Sequence, residues 1–291
     1  MTFNPNAKID SSKVSKRGRN TAIGVGAGGG LVLILALVGP LLGIDLSGLA
    51  PLLGGGAGTS QEITEGDLSH CDTGADANED IECRMVGAAT SLDAYWSAEM
   101  RSGYVTPGVV LFEQATQSGC GSASAATGPF YCPADQTMYL DTGFFDQLRN
   151  QFGASGGPLA EMYVLAHEWG HHMSNILGQM DNLNLRESGP TSDSVRLELQ
   201  ADCFAGAWAA AASTQPDSNG TTFLKPITKQ QIADALNAAA AIGDDRIQEA
   251  SGVNVNPHQW THGSSEQRQR WFATGFEGGA TVCDTFNTNN L

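Results

Sequence analysis

His167-Glu168-Trp169-Gly170-His171 carries the chemistry that is most specific in this chain. Two histidines four residues apart share one face of an α-helix, so both imidazoles can reach a single metal ion. Glu168 follows the first histidine and can point at a water held by that metal. This arrangement lets zinc generate a hydroxide nucleophile near neutral pH. A third ligand is available at Glu198. It is followed four residues later by Asp202, so the two acids share a helical face. One carboxylate can complete a His-His-Glu zinc site and leave the fourth position for water. The other can accept the free ring N–H of a ligand histidine and fix its tautomer. An unpaired acid would be costly there, because Leu197, Leu199, Ala201 and Phe204 make the segment mostly buried.

The elements that must hold these groups can be read from periodicity and caps. The run from Leu159 to Leu177 is helix-forming, opens after Pro158 and closes at Gly178. Arg196 to Trp208 is a second helical run. Residues 87–100, 144–152, 227–241 (closed by Gly243) and 264–276 are further helices. Val109 to Phe112 and Thr137 to Asp141 have strand character, and Cys120 to Cys132 is expected as a loop. By analogy with zincin-like proteins, residues 137–141 are expected to be the cleft edge that takes substrate as an added strand. No internal repeat is evident.

The chain resembles the bacterial neutral zinc metallopeptidase family, a group of membrane-anchored, zincin-like proteins. The motifs are the block His167 to His172 and the block Glu198 to Gly206. With them go Gly119-Cys120-Gly121 through Gly128 to Pro133, and Ala241 to Arg246. Thr261 to Ser265, Gln267-Arg268 and Trp271-Phe272 complete the set. The resemblance covers roughly residues 86 to 287, and the segment Asp67 to Asp80 departs from the pattern. It implies an α+β, mainly helical, zincin-like domain with a small antiparallel sheet, and one bound Zn2+.

The expected reaction follows from the ligand set of His167, His171 and Glu198. Glu168 takes a proton from the metal-activated water and passes it to the leaving amine. The oxyanion needs a further donor. His262, in a Thr-His-Gly-Ser-Ser turn, is the leading candidate; the alternative is that Ser264 caps the last helix and His262 is structural. Tyr131 and Tyr139 are weaker donors, each better suited to core packing. His172 lies about 100° around the helix from its neighbour and is not expected to be a ligand. His70 and His258 read as exposed loop residues. Arg268 and Arg270 are expected to pair with Asp244 or Asp245. The competing reading is a non-catalytic envelope protein that keeps the fold as a binding or structural module.

Bulk properties constrain the setting. The formal charge is −16, and beyond Ile44 ten Lys/Arg face thirty Asp/Glu. Such an acidic domain repels nucleic acid and anionic lipid headgroups and would steer basic substrates in at low salt; the expected partner is a peptide or protein substrate. Lys8, Lys13, Lys16, Arg17 and Arg19 precede an uncharged apolar run, Ala22 to Ile44, long enough to cross a bilayer as one helix. The charge asymmetry predicts a cytoplasmic N-terminus and an extracytoplasmic domain; a cleaved signal peptide is the rival reading. The expected layout is therefore a basic segment (1–21), a transmembrane helix (22–44), a flexible tether (45–85) and a catalytic domain (86–291). Six cysteines suit an oxidising compartment. The favoured pairs are Cys71–Cys83 and Cys120–Cys132, each closing a short loop, with Cys203 left to join Cys283 or to remain a buried thiol.

Overall fold

The computed structural model describes residues 2–18, 65–124 and 127–291. In chain order the strands are β1 (Ser15–Arg17), β2 (Glu65–Gly66), β3 (Gly108–Phe112), β4 (Ala115–Ser118), β5 (Gly121–Ser124), β6 (Phe130–Cys132) and β7 (Thr137–Asp141). The α-helices are α1 (Gly74–Glu79), α2 (Ile81–Glu99), α3 (Phe144–Asn150), α4 (Pro158–Ile176), α5 (Asp193–Ala212), α6 (Lys229–Ala241), α7 (Asp244–Ala250) and α8 (Ser265–Gly278). The class is α+β, as expected, with helices dominating.

The five-stranded sheet runs β2-β1-β3-β7-β6. It is mixed rather than antiparallel: β3 pairs in parallel with both β1 and β7, and only the outer strands β2 and β6 run antiparallel to their neighbours. Val109 to Phe112 and Met138 to Asp141 are buried at every position, the pattern of central strands covered on both faces. Strand 137–141 is therefore interior. The edge beside the motif helix is β6, which lies within the stretch expected as a loop. Strand β5, which pairs with β4 in a hairpin, lies in the same stretch.

The N-terminal residues also depart from expectation. Residues 2–17 pack into the same fold as α4 and α5, with Phe3, Ala7, Ile9 and Val14 buried in the core. Burying a phenylalanine contributes about 1.5–3 kcal/mol. The boundary expected at residue 86 falls inside α2, and residues 74–79 and 81–85, expected as tether, are helical. The transmembrane helix expected at 22–44 lies outside the described residues. Among the described residues no helix is long and apolar enough to cross a membrane.

Two close helix approaches position the site. A Cβ on Gly170, in the middle of α4, would come within 2.7 Å of the Ala201 Cα on α5. Likewise a Cβ on Gly275 of α8 would lie 1.8 Å from the Cys203 carbonyl oxygen, and one on Gly206 2.0 Å from that of Phe272. Only glycine lets these backbones meet, and the contacts draw α8 and α4 onto α5 from two directions. The disulfides are Cys71–Cys83, Cys120–Cys132 and Cys203–Cys283, the pairings expected. The third ties the C-terminal tail to α5.

Candidate metal centre

Helix α4 starts at Pro158, whose missing N–H costs nothing in a first turn, and ends before Gly178 at φ 71°. Its partner α5 is capped by the Ser192 hydroxyl, which accepts from the Val195 N–H. Side by side, these helices gather His167, His171 and Glu198, with one donor atom from each within 4.8 Å of the others. The His167 Nε2 lies 3.1 Å from Glu198 Oε2, and the His171 Nε2 lies 3.4 Å from Glu198 Oε1. Ligand atoms placed tetrahedrally around zinc at its usual bond lengths stand about 3.3 Å apart. The three side chains therefore fit that ion in chemistry and in spacing.

Asp202 supports the first ligand. The His167 Nδ1–H donates to its Oδ1 at 2.8 Å, which leaves Nε2 to face the metal position. Asp202 is fully buried and accepts from the Tyr163 hydroxyl and from the Arg268 guanidinium, at 2.8 Å from Nε and 3.0 Å from Nη2. Arg268, itself 1 % exposed, thus pairs with Asp202 and not with Asp244 or Asp245; Arg270 pairs with Glu266. Tyr163 precedes His167 by one helical turn, a spacing that could have marked it as a neighbour. Arg268 had no such local signal.

Burial and charge shape the titration. Burial opposes a charge on His167, but the Asp202 and Glu198 carboxylates outweigh it and hold the imidazole up to about 10. Burial pushes His171 down to about 4, against the pull of Glu198. Glu198 is held well below the usual carboxylate range: burial works the other way, but His171 and His167 prevail. A metal ligand must be deprotonated, so binding of a divalent cation by His167 and Glu198 would release a proton. Glu168 is pushed up to about 7, chiefly by burial, against the opposing pull of the His167 charge.

His262 lines the same cavity of about 380 Å³ as the ligands, Glu168 and Arg268. Its Nδ1 lies 3.3 Å from Asp244, which is fully buried and also accepts the backbone N–H groups of Thr261, His262 and Gly263. Burial disfavours charge on His262, but the Asp244 hydrogen bond and the nearby Glu198 raise its pKa overall. Ser264 does cap α8, in a capping box with Gln267, so capping and placement in the cavity coexist. The Tyr131 hydroxyl is committed to His172 Nδ1 at 3.0 Å, while the His172 Nε2–H donates to the Val105 carbonyl at 2.7 Å. His172 is thus a buried pin between α4 and edge strand β6. Tyr139 donates to Asp135, and His70 and His258 are exposed.

The family described as "Putative neutral zinc metallopeptidase" matches residues 4–286. Similar relatives include the uncharacterized protein Rv2575 of Mycobacterium tuberculosis, 48% identical over 257 residues and covering 86% of each chain. The uncharacterized protein YpfJ of Escherichia coli is 37% identical over 271 residues, 90% of this chain and 87% of that one. No solved structure matches the chain. With both helices of the metal site and the N-terminal segment inside the matched span, the chain belongs to the neutral zinc metallopeptidase family.

Proposed function

We propose that this protein is a zinc-dependent endopeptidase that hydrolyses peptides or proteins outside the cytoplasm with a metal-activated water. The observation that carries the reading is Glu168. It is buried, adjoins the ligand set and lines the same cavity, and a purely structural metal site has no use for such a base. Three disulfides suit an oxidising compartment.

Zinc held by His167, His171 and Glu198 would supply Lewis acidity toward the water and the scissile carbonyl. The chain's own groups supply the rest. Glu168 accepts the proton of the attacking water and returns it to the leaving nitrogen. His262, protonated and oriented by Asp244, donates to the developing oxyanion. Edge strand β6 offers backbone groups to an extended peptide. Phe130, Phe144, Phe152, Val164, Ile242 and Ile247 line the cavity as an apolar seat for a substrate side chain.

The test combines elemental analysis with a peptide-library assay on the full chain. About one zinc per chain is expected, lost in His167→Ala and in Glu198→Ala. Glu168→Gln should keep the zinc and lose about 10²–10⁴-fold in hydrolysis. Full activity in Glu168→Gln would sink the mechanism. Zinc binding with no hydrolysis of any peptide would favour a binding module.

A further inference from the structure

We infer that residues 2–17 and the domain that carries the candidate metal site lie on the same side of any membrane with which the chain associates.

The geometry at the two ends of residues 18–64 carries this. Strand β1 ends at Arg17 and β2 begins at Glu65. The two are antiparallel neighbours, with Arg17 opposite Glu65 and Lys16 opposite Gly66. Paired residues in such a ladder stand about 5 Å apart. A single crossing of the hydrocarbon core would separate them by about 30 Å. The docked segment and a single crossing therefore exclude each other.

The docking is built in, not incidental. The Phe3 ring occupies the space above Gly87, where a Cβ would come within 2.7 Å of it, and a Cβ on Gly74 would strike the Asn4 carbonyl oxygen at 2.0 Å. Phe3 also bridges to Leu224, and the Thr2 and Phe3 N–H groups both donate to the Asn78 side chain. Strand β1 is interior to the sheet, paired on one side with β3 and on the other with β2.

The basic residues have partners in the domain. Lys13 pairs with Asp93 at 2.7 Å and Lys16 with Glu82 at 2.7 Å. Arg17 donates to the Thr116 hydroxyl at 2.7 Å and lies over the Tyr139 ring. In the sequence, these are the charges that argue for retention in the cytoplasm. In the fold they face acids and carbonyls of the domain. The family match, which begins at residue 4, treats the same segment as part of one unit.

The inference does not depend on peptidase activity, and it is tested by labelling. All six cysteines are in disulfides, so a single added thiol can be followed. Asn6→Cys and Ser218→Cys, both at exposed positions, would be made separately in the full chain. Intact cells would be treated with a membrane-impermeant maleimide before and after permeabilisation, with a cytoplasmic protein as leak control. The expected result is that both thiols react in the same stage; the disulfides favour the stage before permeabilisation. Ser218→Cys reacting in intact cells with Asn6→Cys reacting only after permeabilisation, or the reverse, would overturn the inference.

Discussion

Two buried carboxylates serve two histidines at one cavity, and they are neutralised by different means. Asp202 holds His167 and is balanced by the guanidinium of Arg268, a side chain on another helix. Asp244 holds His262 and is balanced by three backbone N–H groups of the Thr261–Gly263 turn. Both are 0 % exposed. The difference lies in what a single substitution can remove. A backbone N–H survives side-chain replacement, whereas an arginine does not. The ligand side of the site is therefore open to one large failure, and the His262 side is not.

Arg268→Met should break the comparison most sharply. It takes the guanidinium from a buried carboxylate and leaves Asp202 with only the His167 and Tyr163 donors, and the loss is expected at up to about 3–5 kcal/mol in denaturant unfolding of the metal-free protein. Arg268→Lys keeps the charge but loses the two-pronged geometry and should fall between. The double variant Arg268→Met/Asp202→Asn removes both charges and should recover most of the stability. Its zinc affinity should remain about 10–100-fold weak in chelator competition, because His167 has lost its carboxylate. A double variant with normal zinc affinity would show that Asp202 does nothing for the ligand.

His262→Ala probes the other side. Its side chain is about one-third exposed, and Asp244 keeps its backbone donors. Stability and zinc content should therefore change little, while kcat falls about 10²–10³-fold, the usual cost of losing one oxyanion donor. A fall in zinc content instead would move His262 into the ligand set. An unchanged kcat would leave it with only a structural part in the Asp244 turn.

The contrast between the two sides also marks what could be read from sequence. His167, His171, Glu198 and Asp202 were legible because helical spacing places residues four apart on one face. The pairings of Cys71 with Cys83 and Cys120 with Cys132 followed from short separations. Arg268 was assigned the wrong acid because its partner lies 66 residues away on a different helix, and no local period encodes which helix faces which. Strand order failed for the same reason: 137–141 has ample strand character, but only the assembled sheet shows that β6 covers it. Residues 2–17 were read through their charges, which resemble the flank of a membrane anchor. Their apolar positions, Phe3, Ala7, Ile9 and Val14, turned out to be core.

The smallest expected effect is a shift of a pH profile. The groups acting on His262 are Asp244 and Glu198, which raise its pKa, and Arg268, which lowers it. With Nδ1–H directed to Asp244, the other ring nitrogen donates only when the imidazole is protonated. Activity that depends on that donor is present below the His262 pKa and is lost as pH rises through it. Asp244→Asn keeps the shape of the turn but removes the charge, so the alkaline limb of kcat/KM should move to lower pH by about one unit. Asp202→Asn, matched in chemistry but acting at His167, should lower zinc occupancy and leave the position of that limb unchanged in the loaded fraction. If both variants moved the limb equally, the two carboxylates would be acting through one shared field, and the division between a ligand side and a donor side would not hold.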